Sequence, residues 1–305
     1  KSFGEIILPR LRFDRADAIA SFGGDFLGSE PSAPVAIREF SSRRRVRQRA
    51  DSMNRLWVVE GNMTVTGANA DHRLAVSPSA SAALAFALAR ALNQKHGIAL
   101  PAGLDPAFLG EFEPAKIAGS LGIPRSLLDA LASDLAKVGR NALVLAGRMM
   151  PAQLHTACAL LNRMLGAEGN EDYGAAGGAM QILPAAQAAQ AFAAVKPGEY
   201  SAAIFWGVNP AYWLPDEGAW RSALSTISLK VFIGLHRDET AQDCQVVLPE
   251  HHWLEAWGDC EMSAGLLTLQ QPAIGPLYDS KQGEEILLGW IRALGGAVPD
   301  GYRLY

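Results

Sequence analysis

Residues 201–210, SAAIFWGVNP, decide how the chain is read. Ser201 to Trp206 is a short run rich in apolar, branched and aromatic side chains, the composition of a buried strand. It closes on Gly207 and Asn209-Pro210, residue types that end strands and open turns. Working outward, Asp216 to Thr226 has helical spacing, and Leu229 to Leu235 and Cys244 to Leu248 are two further apolar runs. Strand, glycine turn, helix and strand in that order is the pattern of parallel βα units. Their turns collect at the carboxyl edge of the sheet, where open α/β folds take ligands.

The first half repeats the scheme. Ala18 to Phe22 closes on Gly23-Gly24-Asp25, and the helix after it is expected to start near Ala33 and carry an arginine run at its end. Arg55 to Glu60 is a second strand ending on an acid. His72 to Val76 leads into Ser77-Pro78, whose hydroxyl is expected to cap an alanine-rich helix through Leu92. Pro101 to Gly122 reads as a connection, followed by a helix to Lys137, a strand from Ala142 to Ala146 ending at Gly147, and a helix from Ala152 to Leu165. Glycines between Gly166 and Gly178 mark a long loop. The fold class that follows is α/β, with doubly wound, mostly parallel sheets and flanking helices.

Composition narrows the function. With 49% hydrophobic and 19% charged residues the chain is an ordinary folded protein, and its net charge of −4 disfavours a broad nucleic-acid footprint. Arg43, Arg44, Arg45, Arg47 and Arg49 are the exception, a dense basic run read either as a solvated helix end or as a docking or anion-binding element. Ala80 to Leu92 is too short to span a bilayer, which takes about 20 apolar residues, so no membrane span is expected. Cys158, Cys244 and Cys260 stand far apart with no CxxC or ferredoxin spacing, which predicts neither an iron–sulfur cluster nor structural zinc within these residues; each is expected to be a small core residue. The chain begins at Lys1 and is expected to be part of a longer polypeptide.

No GxGxxG follows a strand, no GxxxxGK[ST] loop is present, and no GxSxG elbow surrounds a serine, which disfavours simple NAD enzymes, P-loop NTPases and serine hydrolases. His251-His252 with Glu250 and Glu255 is a poor metal set, because adjacent residues of an extended run point to opposite faces. His236, Asp238, Glu239 and Asp243 form a polar knot read as loop satisfaction, and Asp71-His72-Arg73 as a salt-bridged turn. The aromatics Tyr212, Trp213, Trp220, Trp253 and Trp257 are read as core or subunit interface.

Taken together, Gly207-Val208-Asn209-Pro210, Glu239-Thr240-Ala241, Val246-Val247-Leu248-Pro249 and Leu254-Glu255-Ala256-Trp257-Gly258 resemble, in order and spacing, the signature of the molybdopterin oxidoreductase (dimethyl sulfoxide reductase) family. The first half is similar to the family's preceding subdomain at Asp17-Ala18-Ile19, Val58-Val59-Glu60 and Leu74 to Leu92. The resemblance implies two Rossmann-like subdomains, expected at residues 1–140 and 141–305. It also implies a grip on the nucleotide ends of two pterin guanine dinucleotides. If such a molybdenum cofactor were bound, Gly23, Asp25, Glu60, Gly207, Asn209 and Glu239 would lie near it, acids facing ribose hydroxyls or guanine amino groups.

Two departures bear on that implication. After Gly258 the run Asp259 to Leu266 lacks the arginine usual in the family, and the first turn carries Asp25 where asparagine is frequent. One branch is similar in these respects, the molybdopterin-like part of the large iron–sulfur subunit of alternative complex III, a quinol-oxidising respiratory assembly. Asp25-Phe26-Leu27-Gly28, Met53 to Glu60, Thr66 to Arg73 and Tyr278 to Gly283 resemble that branch. It implies a cofactor-free scaffold without catalytic residues or metal ligands of its own, other subunits of a membrane-bound respiratory complex as partners, and iron–sulfur clusters on segments outside this chain. It further implies a peripheral position on the outer (periplasmic) face of a bacterial inner membrane. The alternative is a fragment of a catalytic bis(molybdopterin guanine dinucleotide) molybdenum oxidoreductase. A third reading, the central domain of thiamine diphosphate enzymes, rests on paired βα architecture alone.

Overall fold

The structure, a computed structural model, describes residues 9–30, 33–173, 185–196, 198–214, 216–263 and 265–302. The chain divides into two compact units, Leu8–Ala176 and a second formed chiefly by Gly177–Tyr305.

The first unit contains β1 (Arg10–Leu11), β2 (Ala18–Phe22), α1 (Ala33–Ser42), β3 (Arg55–Glu60), α2 (Val65–Ala68), β4 (His72–Ala75), α3 (Pro78–His96), α4 (Pro114–Ser120), α5 (Arg125–Val138), β5 (Ala142–Ala146), α6 (Ala152–Leu165) and β6 (Glu171–Asp172). Four of its strands form a parallel sheet in the order β4-β3-β2-β5. Helices cover both faces, so the central strands are continuous apolar runs, and β2 is buried along its whole length. Alternation sorts its side chains. Ala18, Ala20 and Phe22 join Trp57 and Val59 against α3, α5 and α6, while Ile19 joins Leu56 and Val58 in a second core with Phe13, Phe26 and Phe40.

The second unit contains α7 (Ala185–Ala193), β7 (Ala202–Trp206), α8 (Pro210–Trp213), α9 (Glu217–Ser225), β8 (Leu229–Gly234), α10 (Glu239–Gln242), β9 (Val246–Pro249), β10 (Gly258–Ser263), β11 (Leu266–Gln270) and α11 (Gly283–Ala293). β7, β8 and β9 make a parallel sheet in that order. Phe205, Trp220 and Phe232 pack on one face; Val231, Ile233 and Ile286 of α11 pack on the other. β10 and β11 form a separate antiparallel hairpin.

Most expected elements stand within a residue or two of their sequence bounds, and the α/β class with parallel sheets is observed. Several details differ. The boundary expected at residue 140 falls inside the first unit, because Ala142–Ala146 pairs along the whole of β2 and so belongs to the first sheet. The arginine run lies beyond α1, in the connection to β3. Ser77 is the N-cap of α3, but its hydroxyl contacts Ser79 Oγ at 3.0 Å and does not cap the helix. The loop expected from Gly166 holds β6, which pairs with β1; its continuation to Gly178 lies outside the described residues. Cys158 is buried as expected, whereas Cys260 is exposed on the hairpin.

Candidate functional site

In the first sheet the strand order reverses between β2 and β5, the position where a doubly wound sheet opens a crevice for a ligand. Here the turns after β2 and β5 approach each other closely. Gly147 N donates to Phe22 O at 2.9 Å, extending the β2–β5 ladder by one bond, and Gly23 N donates to Val59 O at 2.7 Å, extending the β2–β3 ladder. A methyl group on Gly147 would overlap the Gly23 carbonyl and come within 2.9 Å of Gly24 N. Gly23 has φ +66°, a conformation that glycine reaches without strain, and the Met150 side chain fills the space where its Cβ would point.

The two candidate acids beside this crevice are engaged within the protein. Asp25 accepts from Thr66 N at 2.9 Å, Thr66 Oγ1 at 2.8 Å and Ser29 N at 3.0 Å. Burial alone would raise its pKa, but these hydrogen bonds outweigh it and hold the carboxyl below the ordinary aspartate range. Glu60 is only 4% exposed and accepts from Thr64 Oγ1 and Arg73 Nε, each at 2.7 Å. Thr64 also caps α2 through Gly67 N. Asp25 and Glu60 therefore anchor the turn from Thr64 to Asn69, and neither oxygen pair is left aimed at a ligand.

At the carboxyl edge of the second sheet the arrangement is open. Gly207 has φ +60°, and a Cβ there would meet nothing within 4 Å, so glycine is used for its conformation and not for a close approach. Asn209 Nδ2 donates to Glu239 Oε2 at 2.7 Å, Thr240 Oγ1 donates to Asn209 Oδ1 at 2.8 Å, and Ala211 N donates to Thr240 Oγ1 at 3.1 Å. The bond from Asn209 holds the exposed Glu239 carboxyl below the ordinary glutamate range. The Asn-Pro turn and the Glu-Thr-Ala step are thus one hydrogen-bonded unit, which accounts physically for their occurrence together.

The other polar knots also resolve into structure. Asp238 caps α10 through Ala241 N, Asp71 takes a bidentate pair from Arg44, and Arg73 pairs with Glu60. His252 caps a short 3-10 turn at Trp253–Glu255, while His251 Nδ1 lies 2.7 Å from Ser280 Oγ. No group of three or more His, Cys, Asp or Glu able to hold a metal occurs among the described residues. Met150 and Thr64 were not singled out from sequence, and Thr66 only as the first residue of the string Thr66 to Arg73; the residue-level signal for the threonines is their position just after a strand that ends in an acid.

Two parallel sheets with glycine turns at their carboxyl edges define an α/β protein of the open, doubly wound type. More particularly, the chain belongs to the molybdopterin oxidoreductase family, which matches residues 9–289. It is 30% identical, over 261 residues, to the menaquinone reductase molybdopterin-binding-like subunit of Nitratidesulfovibrio vulgaris, a match covering 78% of this chain and 37% of the relative. Its fold is similar to that of acetylene hydratase from Pelobacter acetylenicus, with TM-score 0.65 and 14% identity, covering 96% of this chain and 49% of that one. The chain thus spans between a third and a half of the length of the proteins it matches.

Proposed function

We propose that this chain is a cofactor-free molybdopterin oxidoreductase-like domain that serves as scaffold and docking body in a quinone-linked respiratory complex on the outer face of a bacterial inner membrane. Iron–sulfur clusters would sit on other segments of the full-length protein, with this domain holding them and the partner subunits in place. The observation that carries the reading is the close approach of the turns after β2 and β5, where Gly147 lies against the Gly23 carbonyl, Met150 packs beside Gly23, and Asp25 and Glu60 are consumed by Thr64, Thr66 and Arg73. Those residues do not fit a pterin dinucleotide, so no chemical step is assigned to one. The name of the Nitratidesulfovibrio relative supports a quinone-linked setting, in the direction of quinone reduction. A scaffold serves either direction of electron flow.

The open edge at Gly207 favours the second reading, a catalytic fragment that holds a dinucleotide in its second unit. Growth with tungstate in place of molybdate separates the two. The scaffold reading predicts unchanged assembly and quinone-linked activity of the complex that contains the full-length protein. Loss of activity with assembly intact would overturn it.

A further inference from the structure

The connections that precede the parallel strands of the first sheet gather at its amino edge, opposite the glycine turns. They are laced together: Asp17 N donates to Asn141 O at 2.8 Å, Arg55 N to Asp17 O at 2.9 Å, and Arg44 Nε to Asn54 Oδ1 at 2.9 Å. An open basin of about 640 Å³ lies there, its walls including Asp14, Arg15, Asp17, Arg43 and Arg140. Both acids are already neutralised. Asp14 pairs with Arg12 at 2.8 Å; Asp17 pairs with Arg43 and accepts from Asn141 Nδ2 at 2.8 Å. Arg15 and Arg140 are exposed and make no side-chain hydrogen bond or ion pair among the described residues. The same holds for Arg45, Arg47 and Arg49, which follow Arg43 in the same connection. In a chain of net charge −4, this edge is a local positive excess.

We propose that this basin docks a carboxylate-rich segment of a protein partner. Guanidinium forks match carboxylates in a planar, two-bond geometry, and arginines without a hydrogen-bonded or ionic partner among the described residues leave both bonds available. Concavity selects projecting side chains over a flat lipid surface. The connection from Arg43 to Asn54 also contains no Trp, Tyr or Phe, the residues that anchor a protein at a membrane interface. The basin is far larger than a single inorganic anion needs. The inference does not depend on the absence of a pterin.

The test uses the full-length protein and fluorescein-labelled hexaglutamate, followed by anisotropy at low and moderate salt. Binding is expected to weaken with salt. The double substitution Arg15→Gln, Arg140→Gln should lower affinity about tenfold, and the triple substitution Arg45→Gln, Arg47→Gln, Arg49→Gln should lower it less. These arginines are exposed and make no side-chain hydrogen bond or ion pair among the described residues, so the variants should keep the native melting temperature, which is checked by circular dichroism. Absence of peptide binding, equal binding by the double variant, or a larger loss in the triple variant would overturn the proposal. So would inorganic phosphate displacing the peptide at equal concentration, or sedimentation with phosphatidylglycerol vesicles, but not peptide binding, that depends on Arg15 and Arg140.

Discussion

The two carboxyl edges use the same residue type for opposite ends. In the first sheet glycine is present because two backbones meet: Gly147 lies on the Gly23 carbonyl, and Met150 packs beside Gly23. In the second sheet Gly207 faces open space and is required only for its positive φ. Acids differ in the same sense. Asp25 and Glu60 are turned inward to hold a neighbouring turn, whereas Glu239 stays at the surface with one amide partner. A glycine turn at a strand end therefore does not by itself mark a ligand site; what decides is whether the room that the glycine leaves is empty or filled.

The largest expected effect tests the packing side of that contrast. Gly147→Ala should destabilise the first unit by about 3 kcal/mol, because the methyl meets backbone that cannot move aside. Urea unfolding followed by fluorescence would show it. Asp25→Ala should cost about 2 kcal/mol, since it strands the buried donors of Thr66 and removes the partner of the exposed Ser29 amide; faster amide exchange at those two residues is the accompanying sign. Gly207→Ala should cost only about 1 kcal/mol, from its left-handed backbone alone. If Gly207→Ala were as damaging as Gly147→Ala, the distinction between the two edges would collapse.

Titration sharpens the comparison further. Asp25 and Asp71 both have depressed pKa values in the folded protein. For Asp71 burial acts upward but is outweighed by Arg44 and Leu56 N. Their stabilising contribution is complete above the unfolded aspartate value of about 3.9 and is lost as pH falls through the lower folded values. The first unit should therefore weaken on the acid side, and Asp25→Asn should remove part of that dependence. The smallest effect is at the open edge: Asn209→Ala should let the Glu239 carboxyl titrate upward toward the ordinary glutamate range, as followed by carboxyl carbon NMR.

Sequence patterning carried the elements well because central strands such as Ala18–Phe22 and Ala142–Ala146 are continuous apolar runs that end in glycine, and helices such as Ala152–Leu165 have a clear apolar face. It failed on pairing. Nothing local to Ala142–Ala146 says that its neighbour is β2, more than a hundred residues earlier, and so β5 was expected in the second subdomain. The candidate acids show the same limit. Asp25 and Glu60 were legible as strand-end carboxylates, but their partners Thr66 and Arg73 lie 41 and 13 residues away, and only the folded turn reveals that the acids are already spent. The Asn209 and Glu239 pairing was legible only as two motifs whose joint occurrence the hydrogen bond now accounts for.

The most direct test of the scaffold account is molybdenum and pterin analysis of the intact, full-length protein expressed with molybdate, using plasma mass spectrometry for the metal and fluorescence of the oxidised pterin. The account predicts iron without stoichiometric molybdenum or pterin. Near-stoichiometric molybdenum together with pterin would contradict it, and would make Gly207, Asn209 and Glu239 the residues to mutate first.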